Sequence, residues 1–357
     1  MTGLADHGAA LSWSSAQPTL IPLVLAAALY FSGVIRLWRA GDIAWTDHRH
    51  GLFFLGLGLL YAALQSPLAA MSERLFSVHQ IQILMLRMLG PMLLVLARPI
   101  SVLRAGLPQA LRSSLHRIGD ALDRSPAPAQ WLGGPAPVTI IYVLALYVWE
   151  IPAYHDLAVA QPIVHLLMEG SMLLAGFLFW GRVFDWRRPR TEADLDLRDE
   201  RPRTRSQYGL AYGGRLTMLC MVVLSNILLG AYTTLKTAIL YRAYDRPGRL
   251  FGYAPIADEQ VGGMVIWILS SFICIFAVLV VLRLLGNHEA RMDEQRLSQQ
   301  GSNSAALLYP ATGEALIQRA RAKNKAMAVG FGLFAITAFA TVILVGILFH
   351  ISNVSSG

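Results

Sequence analysis

The chain has 357 residues, 55% of them hydrophobic and only 15% charged, with a formal net charge of +8. A soluble domain carries roughly a quarter charged residues, so a mean hydropathy of +0.49 points to lipid as the main solvent. The basic residues gather in particular loops and are not interleaved with stacking aromatics, which excludes a nucleic-acid module. The two cysteines, Cys220 and Cys274, both fall in apolar stretches, form no CxxC motif and read as small buried hydrophobes.

In chain order, Met1 to Gln17 carries no Lys or Arg. It lacks the basic n-region of a signal peptide, and no cleavage is expected. A spanning helix needs about 20 mostly apolar residues. Such stretches run over Pro18–Arg36, Gly51–Ala70, Ser77–Ala97, Pro137–Tyr154, Gln161–Gly181, Leu216–Tyr241, Val261–Leu284 and Ala326–His350. Each is too long for a strand, and only a helix satisfies its own backbone within one segment in hydrocarbon. With Arg36 and Arg283 counted in the loops they adjoin, the first, third, fifth and seventh loops hold 3, 5, 9 and 7 Lys and Arg, 24 in all, against 4 on the other side. This alternation predicts an all-α, polytopic transmembrane bundle of about eight spans with both termini outside. Among the inner loops, Ser101–Leu122 has the spacing of an amphipathic helix on the membrane surface, with Arg104, Arg112 and Arg117 among its leucines. Arg187–Arg205 mixes both signs of charge with little apolar content and reads as a solvated loop. No internal repeat and no nucleotide fingerprint is present, and Gly262-Gly263 is too short for a phosphate cradle.

Ionisable side chains within the bilayer are costly and are the first functional suspects. His79 lies near the outer end of the third span, and Arg87 is eight residues deeper, about 12 Å at the helical rise and close to two full turns, so on the same face. Glu150 ends the fourth span outside and His155 follows it. His165 enters the fifth span from outside, with Glu169 one turn deeper on its face. Met264 sits at the outer end of the seventh span, after Asp258, Glu259 and Gln260. Of the remaining histidines, His7 and His350 are also outer, whereas His48, His50, His116 and His288 belong to the basic inner loops. Imidazole, carboxylate and thioether are ligand types that suit copper, and a histidine-rich mixture also takes zinc. The spacing itself is not specific, and interfacial hydrogen bonding is the alternative use of these histidines. Arg87 and Glu169, at similar depth, are expected to form an intramembrane ion pair that either locks helix register or serves transport. Lys236, about one turn from the outer end of its span, is expected to snorkel.

These residues belong to a longer series of motifs: Tyr30-Phe-Ser-Gly-Val-Ile-Arg-Leu-Trp38, Gln65-Ser-Pro-Leu68, Ser77-Val-His-Gln-Ile-Gln82, Leu89-Gly-Pro-Met-Leu-Leu94, Ala97-Arg-Pro99, Trp149-Glu-Ile-Pro152, Val164-His165, Phe179-Trp180, Leu224-Ser-Asn-Ile-Leu-Leu-Gly-Ala231, Asp258-Glu-Gln260 and Gly262-Gly-Met-Val-Ile-Trp267. In this order the series resembles the CtaG family of multi-span cytochrome c oxidase assembly factors, over about Tyr30 to Leu284. The resemblance implies maturation of a copper-containing terminal oxidase on the outer face of a bacterial inner membrane. Copper would be handled by outer-leaflet histidines, of which His79 and His165 match the family's, in a site that the residues present would rebuild from His79, His165, His155, Glu150 and Met264, and the partners would be oxidase subunits or a periplasmic copper chaperone. The sequence departs from the family pattern at several presumed ligands. Ile83 stands where a second histidine follows His79, Glu150 where a histidine precedes Ile-Pro, and Ile266 where a methionine precedes the tryptophan. No second histidine follows His165, and Arg87 is an added cation. Either the site is rebuilt from the residues present, or no metal is bound and the chain is a non-metal accessory subunit of a respiratory complex. A transporter or proton channel using Arg87 and Glu169 is a third reading, and a haem between His79 and His165 a fourth. No catalytic constellation argues for an enzyme. The resulting domain plan is an outer segment over 1–17, a seven-span membrane domain over 18–284, a cytoplasmic basic loop over 285–325, and an eighth span with a short outer tail over 326–357.

Overall fold

Helix ends along this chain are written in caps, prolines and side-chain acceptors. The computed structural model describes residues 20–42, 47–109, 111–113, 134–186, 209–245 and 250–298, with 329 and 336 besides. The elements used below are α1 Leu20–Arg39, α2 His48–Gln65, α3 Pro67–Ser72, α4 Phe76–Leu96, α5 Ile100–Gly106, α6 Pro135–Trp149, α7 Pro152–Ala160, α8 Pro162–Val183, α9 Tyr212–Leu235 and α10 Pro255–Arg291. Asp47 starts α2 by accepting from Arg49 N at 3.0 Å. Ser66 ends it and restarts the chain as α3, accepting from Leu68 N at 3.1 Å with Pro67 in the first turn.

Among the described residues, α1, α4, α8, α9 and α10 are each long and apolar enough to cross a membrane, and α6 with α7 makes a sixth candidate if the pair is one span. The protein is therefore an all-helical, polytopic membrane protein. The stretch expected as the second span is α2, whose polar start at His48, Arg49 and His50 leaves its 18 residues less apolar than the five, and it is followed by the short α3. The expected eighth span, Ala326–His350, lies outside the described residues. The fourth expected span is bent by 73° between α6 and α7, where Pro152 opens the new helix. The sixth ends at Leu235 rather than Tyr241, and residues 236–245 continue as a strap with one 3-10 turn at Arg242–Tyr244. Lys236 does not snorkel: it is buried and paired with Glu259.

Two spans carry a π-helical turn, Met85–Leu89 in α4 and Val265–Leu269 in α10. The first has a readable cause. Pro91 has no N–H to return to the carbonyl of Arg87, four residues back. Trp180 Nε1 of α8 donates to that carbonyl instead, at 3.3 Å. The approach needs Gly176, where a Cβ would come within 2.5 Å of the same oxygen. The largest apolar cluster surrounds this contact and includes Tyr142, Phe179, Trp180, Phe184, Leu219 and Cys274. A second cluster joins α1, α2, α4 and α5 around Tyr30, which stacks on Phe53 at 3.7 Å between ring centroids. The expected surface helix over Ser101–Leu122 is represented by α5, which packs on α1; most of the remainder lies outside the described residues.

Candidate functional site

The chain direction brings the chemistry to one end of the bundle. α4, α8 and α10 begin there, α6 and α9 end there, and α7 and the strap run across it. His79 is in the first turn of α4, His155 on α7, His165 in the first turn of α8, and Asp258 and Glu259 in the first turns of α10. By the loop charges, this end is expected to be outer.

Three of the expected ligands come together. The His79 ring lies 4.9 Å from that of His155 and 6.1 Å from that of His165, both edge-to-face. His79 and His155 are fully buried. His155 has both nitrogens engaged, Nδ1 with the Trp149 carbonyl at 3.0 Å and Nε2 with the Tyr244 hydroxyl at 2.9 Å. His165 faces Glu169 through Nε2 at 3.3 Å. Neither nitrogen of His79 has a hydrogen-bond partner among the described residues. A buried imidazole without a partner forfeits its hydration for nothing in return.

The remaining expected residues fall elsewhere. Glu150 is buried beside the cluster, where it accepts from Gln80 Nε2 at 2.6 Å and from the Tyr241 hydroxyl at 2.7 Å. Both of its oxygens are thereby used to tie α4 and the strap to the end of α6. Burial, together with the Glu150 carboxylate, pushes the Tyr241 phenol up and keeps it a donor. Met264 is 39% exposed and directed outward from the bundle. The expected ion pair is not formed. Arg87 turns to α6, donating to the Tyr142 carbonyl at 3.0 Å and lying 3.8 Å over the Tyr142 ring, whereas Glu169 accepts from Gln82 Nε2 at 2.9 Å. Equal depth placed the two charges at one level, but the rotation of α4 and α8 aims them at different neighbours. Among the described residues, no group of three or more His, Cys, Asp and Glu side chains is placed so that it could hold a metal ion.

Sequence reasoning missed the residues that enclose the cluster. Tyr241 stacks on Phe76 at 4.4 Å and sits 4.6 Å from the His155 ring, and Tyr244 caps His155. Residues 237–241 are largely apolar and continue the hydropathy of α9, so nothing in the composition separates a strap folded back over the site from the end of a span. Asp258 and Glu259 were recognised as polar residues at the outer end, but their roles as acceptors for the start of α4 and for the strap depend on tertiary approach.

The profile of the cytochrome c oxidase caa3 assembly factor family (Caa3_CtaG) matches residues 28–195 and 200–286. The chain is also similar to an uncharacterised protein of Mycobacterium leprae, 25% identical over 279 residues, covering 74% of this chain and 38% of that protein. An uncharacterised protein of Mycobacterium bovis is 25% identical over 293 residues, covering 78% of this chain and 39% of that protein. The chain thus spans under two fifths of the length of these curated relatives. No solved structure matches. With the family profile covering most of the chain, the protein belongs to the cytochrome c oxidase caa3 assembly factor (CtaG) family.

Proposed function

We propose that this chain assists assembly of a respiratory terminal oxidase by holding copper as cargo at the histidine cluster, on the outer side of a bacterial inner membrane. It passes the ion to oxidase subunits, or receives it from a periplasmic copper chaperone, and catalyses no reaction of its own. The observation that carries this reading is His79, fully buried, with both ring nitrogens unpartnered and two further imidazoles against it. Imidazole nitrogen suits copper. A site with one free ligand, and others released from hydrogen bonds as needed, suits an ion that must leave again. Glu169 behind His165 supplies the carboxylate–histidine arrangement that orients ligating rings. The competing reading is a non-metal accessory subunit, and the engaged nitrogens of His155 and His165 favour it.

Metal analysis of the purified full chain separates the two. The wild type loaded with copper and then desalted is expected to retain it stoichiometrically, and the His79→Ala, His165→Ala double variant to retain little. A wild type that keeps no copper under replete conditions rejects the cargo reading in favour of the accessory one. The orientation has its own check. A cysteine replacing the exposed Gln161, between α7 and α8, is expected to react with an impermeant thiol reagent added to right-side-out vesicles, and one replacing the exposed Asp42 is not. Reversed labelling would put the histidines on the cytoplasmic side.

A further inference from the structure

The hydrogen bonds of His155 fix its tautomer. The Trp149 carbonyl can only accept, so Nδ1 carries the proton of the neutral ring and Nε2 presents its lone pair. That lone pair accepts from the Tyr244 hydroxyl at 2.9 Å. The ring is thus prepared as a ligand and then capped. We propose that Tyr244 is a displaceable cap on His155 and that the strap 236–245 is the gate of the histidine cluster: when the strap lifts, the phenol withdraws and Nε2 becomes available to a cation together with His79. The exchange moves no proton, because the phenol leaves as O–H and the Nε2 lone pair passes to the ion.

The way the strap is held agrees with a gate. Apart from its one 3-10 turn it is fastened mainly by side chains on other elements: three carboxylates, the Gln260 amide on the Lys236 carbonyl, and the stacking of Tyr241 on Phe76. Glu259 accepts from Leu240 N and Tyr241 N at 3.0 and 2.9 Å, Asp156 from Ala243 N at 3.1 Å, and Glu150 from the Tyr241 hydroxyl at 2.7 Å. Each of these fastenings is a separate side-chain contact, so the strap can be released without unwinding any span. The gate also closes what it covers: Tyr241 and Tyr244 are each 2% exposed, and His79 and His155 are at 0%. An ion approaching from that end has to move the strap to reach His155, and with it the His79 ring beside it, whereas His165 is only partly buried.

This inference rests on the cargo reading for the identity of the ion, so the test has a readout that needs no metal. Diethylpyrocarbonate acylates imidazole nitrogen through its lone pair, and the modified peptide is quantified by mass spectrometry on the full chain in detergent. Tyr244→Phe keeps the ring and removes the cap. It is expected to speed His155 modification about fivefold, the scale of one lost hydrogen bond, and copper(I) uptake from a chelator-buffered solution by a similar factor. Asp156→Ala leaves the phenol and loosens the strap, with an expected gain of about threefold in both rates. It keeps the test decisive if the first variant folds poorly. His155 modification at the wild-type rate in both variants overturns the gate. Faster modification with no copper bound by the wild type keeps the gate and rejects copper as the cargo. Copper binding with unaltered His155 reactivity does the reverse.

Discussion

Gly106→Ala is expected to leave little correctly folded protein. α1 and α5 cross where Gly33 and Gly106 face each other. A Cβ at 106 would overlap the Leu29 carbonyl oxygen, and one at 33 the Val102 carbonyl oxygen. Both obstacles are backbone, so no rotamer change relieves them, and the helices must part. Parting breaks the contacts that this closeness permits: Arg36 on the carbonyls of Ala105 and Leu107 at 2.9 and 3.1 Å, and Ser32 on the Gly106 carbonyl at 3.2 Å. Overpacking and lost hydrogen bonds together are expected to cost about 3 kcal/mol. The measurement is the melting transition in detergent, read with the monodisperse fraction on gel filtration. Gly33→Ala is expected to behave alike, and the double variant to lose less than the two losses added, because one separation accommodates both methyl groups. A Gly106→Ala protein that melts with the wild type would show that α5 is not held against α1 in this way.

Five of the expected spans, and a bent sixth, were legible because hydropathy is a property of composition, while the alternation of cationic loops gave the expected side of each end. That sufficed to place His79, His165, His155 and Glu150 at one level. It could not say which way each helix is turned about its own axis. His79 and His165 face one another across α4 and α8, and the same missing rotation misled the pairing of Arg87 with Glu169, whose side chains go to Tyr142 and Gln82. The π turn at Met85–Leu89 was written in Pro91, yet its consequence, a free carbonyl answered by Trp180, needed the neighbouring helix to be seen. The strap was the least legible part. An apolar stretch after Thr234 reads the same whether it faces lipid or buries two tyrosines over histidines. The resemblance supplied motif order and the family. Glu150, at a position where the family pattern was expected to carry a histidine, fastens the gate residue Tyr241, while the His79 nitrogens have no partner among the described residues.

Asp258→Ala is the second substitution with a large expected effect, and it links the site to the bundle. α4 begins at Phe76 after Leu75, which has no side chain able to cap. The first donors of a helix have no partner within it. Here α10 supplies one from outside: the fully buried Asp258 accepts from Phe76 N at 2.8 Å, Ser77 N at 3.1 Å and the Ser77 hydroxyl at 2.5 Å. A carboxylate at this position also meets the positive end of the α4 dipole. Alanine strands these donors in a buried contact, with an expected loss of about 3–4 kcal/mol, and asparagine, which keeps one acceptor oxygen, about half of that. His79 lies one turn further along α4, so the fraying that follows should also loosen the imidazole cluster. Thermal melts are expected to fall in the order wild type, Asp258→Asn, Asp258→Ala, with copper retention falling in step. His79→Ala, which removes a proposed ligand but no cap, should lose copper while melting near the wild type. If Asp258→Ala keeps its stability but loses copper, the carboxylate serves the ion rather than the helix, and the cross-helix cap is not what positions His79.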